Sequence, residues 1–269
     1  MKWVGGKRQI LSEIEKRLPK EFGTYFEPFV GGGALLFHLQ PRKAVINDFN
    51  SELINAYQVV KNEPQSLLTE LEEHTNLHSE SHYYEVRSWD RTESYLTIDS
   101  IQRAARFIYL NKTGFNGLFR VNKNNENNVP MGTYKNPIIK DENTIIADSK
   151  ILKYTTILNG DFVQAVSTAK KGDLVYFDPP YIPVNATSNF TSYTSLGFTL
   201  DDQIRLRDLI IELTNRGVFA MMSNADVPLV YELYNQPEFK ISKIKASRAI
   251  NSNASKRGKV GEVLVRNYE

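Results

Sequence analysis

Short apolar runs occupy both ends of the chain, and a helical rhythm of apolar positions occupies the middle. Ile10, Leu11, Ile14 and Leu18 recur at helical spacing and predict a helix over Lys7–Leu18, stopped by Pro19 and Gly23. Thr24–Val30 then predicts a strand, Gly31-Gly32-Gly33 a turn, and Ala34–Leu39 the start of a helix. Ala44–Ile46 predicts a second buried strand, ending at Asn47-Asp48. From Ser51 the spacing is helical, through Leu53, Ile54, Tyr57 and Val60, then Leu67, Leu68 and Leu71, then Ile101–Leu110 up to Gly114. Five asparagines crowd Asn122–Asn128, and Phe115–Tyr134 around them predicts a loop or hairpin.

After Lys150 the short runs return. Thr155–Leu158 predicts a strand leading to Asp161, and Leu174–Phe177 another, leading to Asp178. Thr199 and Asp202 form a capping box for a helix over Asp201–Asn215, Gly217 closes it, and Val218–Met222 is a further strand. Strands alternating with helices predict an α/β protein with a mostly parallel sheet. The helical, polar middle is expected to interrupt one α/β domain, so that residues 1–50 and 150–269 form that domain and 51–149 an insertion.

Composition narrows the functional classes. A chain of 269 residues with 41% hydrophobic content can bury a core without disulfide or metal staples. Cysteine is absent, which excludes a disulfide framework, a Cys-ligated zinc site and thiol catalysis. No apolar stretch is long enough for a transmembrane helix, and MKWVGGKRQI carries no export signal, so a cytoplasmic protein is expected. The net charge of +2 is too small to argue for nucleic acid by itself. Between Phe239 and Gly261, however, stand Lys240, Lys243, Lys245, Arg248, Lys256, Arg257 and Lys259 with no acid, which is either a phosphate-facing surface or a solvated strand and turn.

Candidate chemistry lies at the strand ends. Phe29-Val30-Gly31-Gly32-Gly33 allows a tight turn and close backbone approach to a ligand. Asp48, at the end of the next strand, is placed to accept hydrogen bonds from ribose hydroxyls, which fits a nucleoside-bearing cofactor and leaves a dinucleotide open. Asp178-Pro179-Pro180-Tyr181 is more specific. Its prolines remove N–H donors and leave a rigid pair of acceptors, the Asp178 carboxylate and the Pro179 carbonyl, suited to an amino group; Tyr181 offers a face for stacking a base. Trp3-Val4-Gly5-Gly6-Lys7 lacks phosphate-loop spacing but could line a cofactor pocket. His74, His78 and His82 would share a helix face, yet the intervening Asn76, Ser79 and Ser81 disfavour a continuous helix, and no metal site is expected.

In this order, Trp3–Lys7, Phe29–Gly33, Asp48 and Asp178–Tyr181 resemble the Dam family of DNA adenine-N6 methyltransferases (D12 class, alpha motif order) over nearly the whole chain. Gly114–Asn122 with Asn128–Gly132 is similar to that family's recognition hairpin. The resemblance implies a Rossmann-like methyltransferase sheet with a target-recognition insertion, S-adenosylmethionine as methyl donor, and double-stranded DNA as substrate. It implies transfer to N6 of a flipped-out adenine at GATC, with Asp178, Pro179 and Tyr181 as catalytic residues. Trp3, Lys7, Phe29, Gly31, Gly33, Asp48, Asp161, Phe162 and Asp178 would bind the cofactor. Lys2, Phe115, Asn116, Leu118, Arg120 and Pro130 would face DNA, with Arg120 reading a guanine edge. A cognate restriction endonuclease is a possible functional partner, with no physical complex implied. Thr133 and Phe115 depart from the arginine and tyrosine found in relatives, which puts a phosphate contact and a hydroxyl contact in doubt.

Overall fold

The computed structural model describes residues 7–183, 197–245 and 261–269. A 3-10 turn at Lys7–Gln9 is followed by α1 (Leu11–Glu15), β1 (Tyr25–Glu27), α2 (Ala34–Leu39) and β2 (Ala44–Asp48). The middle holds α3 (Ser51–Asn62), α4 (Pro64–Asn76), α5 (Glu80–Ser88), α6 (Ser100–Thr113) and α7 (Glu142–Leu152). Then come β3 (Thr155–Asn159), α8 (Phe162–Ala165), β4 (Leu174–Phe177), α9 (Leu200–Asn215), β5 (Phe219–Ala225), α10 (Pro228–Leu233), β6 (Lys240–Lys245) and β7 (Gly261–Arg266).

The strands form a seven-stranded sheet in the order β3-β2-β1-β4-β5-β7-β6. β1 pairs in parallel with β2 and β4, and β4 with β5, whereas β7 runs antiparallel to β5 and to β6. All of β4 is buried, as its unbroken apolar run Leu174-Val175-Tyr176-Phe177 requires of a central parallel strand. The chain leaves β1 toward β2 on one side and β4 toward β5 on the other, so the β1 and β4 carboxyl ends flank a topological switch point, where such sheets bind ligands.

Several local expectations change. The single helix over Lys7–Leu18 is a 3-10 turn plus a short α1, because Ile10 (φ −112°, ψ 5°) breaks the α-helical geometry between them. The strand over Thr24–Val30 shrinks to Tyr25–Glu27, since Pro28 has no N–H for the ladder. The strand in one of the two readings of Phe239–Gly261 is present as β6, at the sheet edge where lysines are tolerated, whereas its antiparallel neighbour β7 was not expected. Helix α9 follows its sequence signals, with Thr199 and Asp202 capping each other's backbone and Gly217 (φ 72°) after its end.

The chain divides into two compact units. One includes Gly31–Gly33 and Asp48–Asn159; the other comprises Lys7–Val30, Ala34–Asn47 and Gly160–Glu269. In the first, α6 is the central helix, buried from Ala104 to Asn111 and packed on α3, α4 and α5. In the second, α9 lays Leu206, Leu209, Ile210 and Leu213 on Val175, Phe177, Ala220 and Met222 of the sheet. No helix among the described residues is long and apolar enough to cross a membrane.

Asp173 ties together the starts of β1 and β4. Its Oδ1 accepts from the Thr24 N–H (2.8 Å) and its Oδ2 from the Lys170 N–H (2.9 Å), with the side chain 3% exposed. Asp173→Ala strands both donors and is expected to cost about 2–4 kcal/mol. Urea denaturation will show this as a lower midpoint at unchanged slope.

Candidate active site

The switch point is built first by what β4 cannot continue. Pro179 and Pro180 supply no ladder donors, so the strand stops at Phe177 and Asp178 stands at its carboxyl end. Asp178 Oδ1 lies 2.7 Å from Lys7 Nζ and accepts a hydrogen bond from Ser223 Oγ at 3.0 Å. Ser223 Oγ in turn accepts from Tyr176 Oη at 3.0 Å. Lys7 Nζ also sits 4.5 Å from the centroid of the Tyr181 ring, and Tyr181 Oη donates to Glu262 at 3.0 Å.

Other polar groups fix the same loop. Gln203 Nε2 donates to the Pro180 carbonyl (3.2 Å), and Asn224 Oδ1 accepts from the Ile182 N–H (3.1 Å). Gln203, Ser223 and Asn224 are fully buried, and Glu262 nearly so. Buried polar side chains survive only when bonded, so these commit the loop to one geometry. None of them is singled out by the sequence; the available signal is Ser223-Asn224 inside an otherwise apolar strand.

Burial pushes the Asp178 carboxyl above its usual range, with the Lys7 ammonium and the Ser223 hydroxyl opposing the rise. At the end of β1, Glu27 is almost fully buried and accepts from Tyr25 Oη at 2.9 Å. Burial lifts its carboxyl to about 8; the Tyr25 bond works against this and the Asp178 charge adds to it. Asn47 holds the neighbouring backbone, donating to the Pro28 carbonyl (3.0 Å) and the Gly160 carbonyl (2.9 Å). Phe29 packs on Phe162 and Phe198, at ring distances of 5.3 and 5.7 Å. Asp161 caps α8 through the Val163 N–H and pairs with Arg205 (2.9 Å), whose guanidinium lies 5.0 Å from the Phe162 ring.

In the other unit, the glycine turn is closed on Asp48. Gly31 (φ 48°) and Gly33 (φ 66°) adopt the left-handed conformation that glycine alone takes without strain. The Gly31 N–H donates to Asp48 Oδ2 at 3.0 Å, and the Asn50 N–H to Oδ1 at 3.0 Å. Burial raises the Asp48 carboxyl and these backbone donors hold it down. Phe49, the residue after this acid, is 86% exposed.

The hairpin belongs to the same unit as Asp48. Isolated bridges pair Gly114 with Met131 and Val121 with Asn127, and the Phe115 N–H donates to the Pro130 carbonyl at 2.9 Å. Phe115, Asn116, Arg120 and Pro130 are exposed and Leu118 is half-buried. Arg120 is held by Asn128, with Nε 2.6 Å from its Oδ1. Beneath, the Val129 carbonyl accepts from Tyr83 Oη and Arg87 Nη1, both at 3.0 Å, and the Asn127 N–H donates to Asp90 Oδ2 at 2.7 Å. Asp90 is paired at 2.7 Å with Arg106, which is 2% exposed. These supports come from α5, α6 and the turn between them, and nothing in the sequence marked them.

The histidines do converge, across a break between α4 and α5. His74 Nδ1 lies 3.0 Å from His82 Nε2, His78 Nδ1 lies 3.0 Å from Tyr109 Oη, and His74 stacks on the Tyr109 ring. Burial takes His74 down to about 4, so its ring is neutral at ordinary pH. In the basic stretch, Lys240 pairs with Glu269, and Lys243 with Asp226 at 3.2 Å. Lys2, Trp3, Arg248, Lys256, Arg257 and Lys259 lie outside the described residues, as does the Lys245 side chain.

Residues 3–250 match the family model of the D12 class N6 adenine-specific DNA methyltransferases. The chain belongs to this family. A type II methyltransferase of Lactococcus lactis subsp. cremoris, M1.LlaDCHI, is 49% identical over 269 residues, covering 99% of this chain and 94% of the relative. A type II methyltransferase of Methanocaldococcus jannaschii, M.MjaIII, is 46% identical, covering 100% and 98%. The DNA adenine methylase of Vibrio cholerae is 35% identical, covering 98% and 94%. The protein is therefore an adenine-specific DNA methyltransferase, with a Rossmann-like methyltransferase sheet, and the family implies S-adenosylmethionine as methyl donor.

Each of the two units carries groups whose chemistry fits that cofactor. Asp48 offers a carboxylate at a strand end beside positive-φ glycines, as ribose hydroxyls need. The rings of Phe29 and Phe162 give apolar faces beside the Asp161 carboxylate.

Glu27 generates a pH prediction. From its ordinary 4.5 up to about 8, the folded protein keeps a proton that the unfolded chain releases. Stability is therefore expected to fall as pH rises through that window. Glu27→Gln should lose this slope and be more stable than the parent at about pH 9, with little difference near about pH 5. Guanidinium denaturation at a series of pH values measures it, and parallel pH profiles would show that Glu27 ionises normally.

Proposed function

We propose that this methyltransferase modifies N6 of an adenine flipped out of duplex DNA, at GATC sites. The observation that carries the chemistry is the Asp178 carboxylate, engaged through one oxygen by Lys7 and Ser223 and followed by Pro179 and Tyr181. Asp178 and the Pro179 carbonyl accept the two N–H bonds of the target amino group. That orients the N6 lone pair and draws density onto it. Tyr181 stacks on the base, and Asp178 takes the proton that N6 sheds. S-adenosylmethionine supplies the electrophilic methyl group carried on its sulfonium sulfur. An exocyclic amine needs no covalent activation, so rate comes from positioning. An adenine inside the duplex cannot present N6 to such a site, which is why the base must leave the stack.

For the cofactor, we assign Asp48 to the ribose hydroxyls and Gly31 and Gly33 to close backbone approach. Asp161, Phe162 and Phe29 are assigned to the adenine, and Trp3, Lys7 and Asp178 to the remainder of the pocket. For DNA, we assign Lys2, Phe115, Asn116, Leu118, Arg120 and Pro130. Arg120 reads guanine bidentately, released from or oriented by Asn128, and Phe115 with Asn116 fills the space that the target leaves. GATC rests on the resemblance to the Dam family set out above; relatives named DNA adenine methylase support adenine as the base. Relatives named type II methyltransferases agree with a restriction–modification setting; a cytoplasmic location and a cognate endonuclease are part of the same reading.

Nucleoside mass spectrometry tests the reaction. Unmethylated plasmid incubated with protein and S-adenosylmethionine should yield N6-methyladenine, and Asp178→Ala should lower it by a factor of at least about 10³. Near-parental turnover by that variant would remove Asp178 from its role, and methylation protecting sites other than GATC from digestion would overturn the target. Arg120→Ala should lower kcat/KM by a factor of about 5 to about 150, equivalent to about 1–3 kcal/mol, and relax selectivity at one base position. A loss that is uniform over all sequences would instead make Arg120 a phosphate contact.

A further inference from the structure

Asp178 carries a buried hydroxyl relay that its own motif does not contain. Tyr176 Oη donates to Ser223 Oγ at 3.0 Å, and Ser223 Oγ donates to Asp178 Oδ1 at 3.0 Å. Ser223 is fully buried and Tyr176 is 1% exposed, so neither hydroxyl has solvent to turn to. The same Oδ1 receives Lys7 Nζ at 2.7 Å. Two donors on one oxygen, one of them charged, restrict how the carboxylate can turn.

We propose that Ser223, backed by Tyr176, is a positioning residue for methyl transfer: it holds the Asp178 carboxylate in place and keeps it ionised for the target amino group. The proposal rests on the role given to Asp178 above. Tyr176 cannot reverse the relay cheaply, because its phenol is buried and held well above its usual range, so it stays a donor. Ser223 then keeps its own proton, which it gives to Asp178 at 3.0 Å, with the Tyr181 hydroxyl also within its hydrogen-bonding reach.

Every neighbouring element bears on the charge of Asp178. Lys7 from the N-terminal turn and Ser223 from β5 favour the ionised form. Glu262 from β7 opposes it, and Glu27 from β1 and the phenol of Tyr181 interact with it electrostatically. Among the described residues named here Lys7 is the cation, and Ser223 is the hydroxyl that supports the ionised form beside it. Removing the Ser223 donor should therefore raise the pH at which Asp178 ionises.

The test is kcat and KM for S-adenosylmethionine and for unmethylated plasmid DNA, measured from about pH 5.5 to about pH 9. Ser223→Ala is expected to move the acid limb of kcat upward by about one pH unit, so that kcat falls about tenfold on the acid side with less loss on the basic side. Its KM for S-adenosylmethionine should stay within about twofold of the parent. Ser223→Thr, which keeps the hydroxyl, returns the limb to the parent position. Tyr176→Phe moves it in the same direction by a smaller step, and keeps the test available should Ser223→Ala fold poorly. An unmoved acid limb in Ser223→Ala and Tyr176→Phe, or a loss equal at every pH, overturns the proposal. Asp178→Asn run alongside separates the two levels. If it is inactive while the limbs stay put, only the relay falls; if it is active, the role of Asp178 falls and takes the relay with it.

Discussion

A carboxylate buried at the end of a central strand is the constraint that shapes the catalytic unit. Left alone it would take up a proton or unfold its surroundings, because desolvating a charge costs several kcal/mol. Lys7 answers part of that cost by ion pairing at 2.7 Å, and Ser223 answers part by hydrogen bonding. Both answers impose further structure. Lys7 must be delivered by the turn that precedes α1, and Ser223 requires Tyr176 as its own donor. Around them Gln203, Asn224 and Glu262 fasten the backbone and ring of the Pro-rich loop, so the antiparallel strand β7 participates in a site whose motif lies on β4.

The other unit meets a similar problem with the signs reversed. Arg106 is a buried guanidinium in the central helix, and its charge is met by Asp90 together with the carbonyls of Val86 and Arg87. Asp90 then holds the Asn127 N–H, while Tyr83 and Arg87 hold the Val129 carbonyl. An exposed hairpin whose own pairing amounts to isolated bridges is thus anchored by side chains from the helices below it. Such support matters to any base-reading surface, because a side chain can discriminate bases only if its backbone is fixed to within a fraction of an ångström.

Some of this was legible from the residues in order. The capping box of Thr199 and Asp202, the apolar run of β4, the glycine turn and Asp178-Pro179-Pro180-Tyr181 are local signals, set by backbone geometry and hydrogen bonding within a few residues. They were enough to expect an α/β sheet, a turn closed near a strand-end acid and a rigid acceptor loop. Short-range physics also produced the errors. Pro28 trims β1 and Ile10 splits the first helix.

The sequence alone determined which chemical groups this protein has to work with: an acceptor pair without N–H donors, positive-φ glycines, no thiol, and an order of motifs that names the family. Only the tertiary structure decided what those groups meet. Lys7 and Asp178 are far apart in the chain and 2.7 Å apart in space, and Ser223 and Glu262 join Asp178 and Tyr181 through strands with no motif of their own. The reason is physical. Composition and spacing report local preferences, whereas the ionisation and orientation of a buried acid depend on partners that sheet order brings across long stretches of chain.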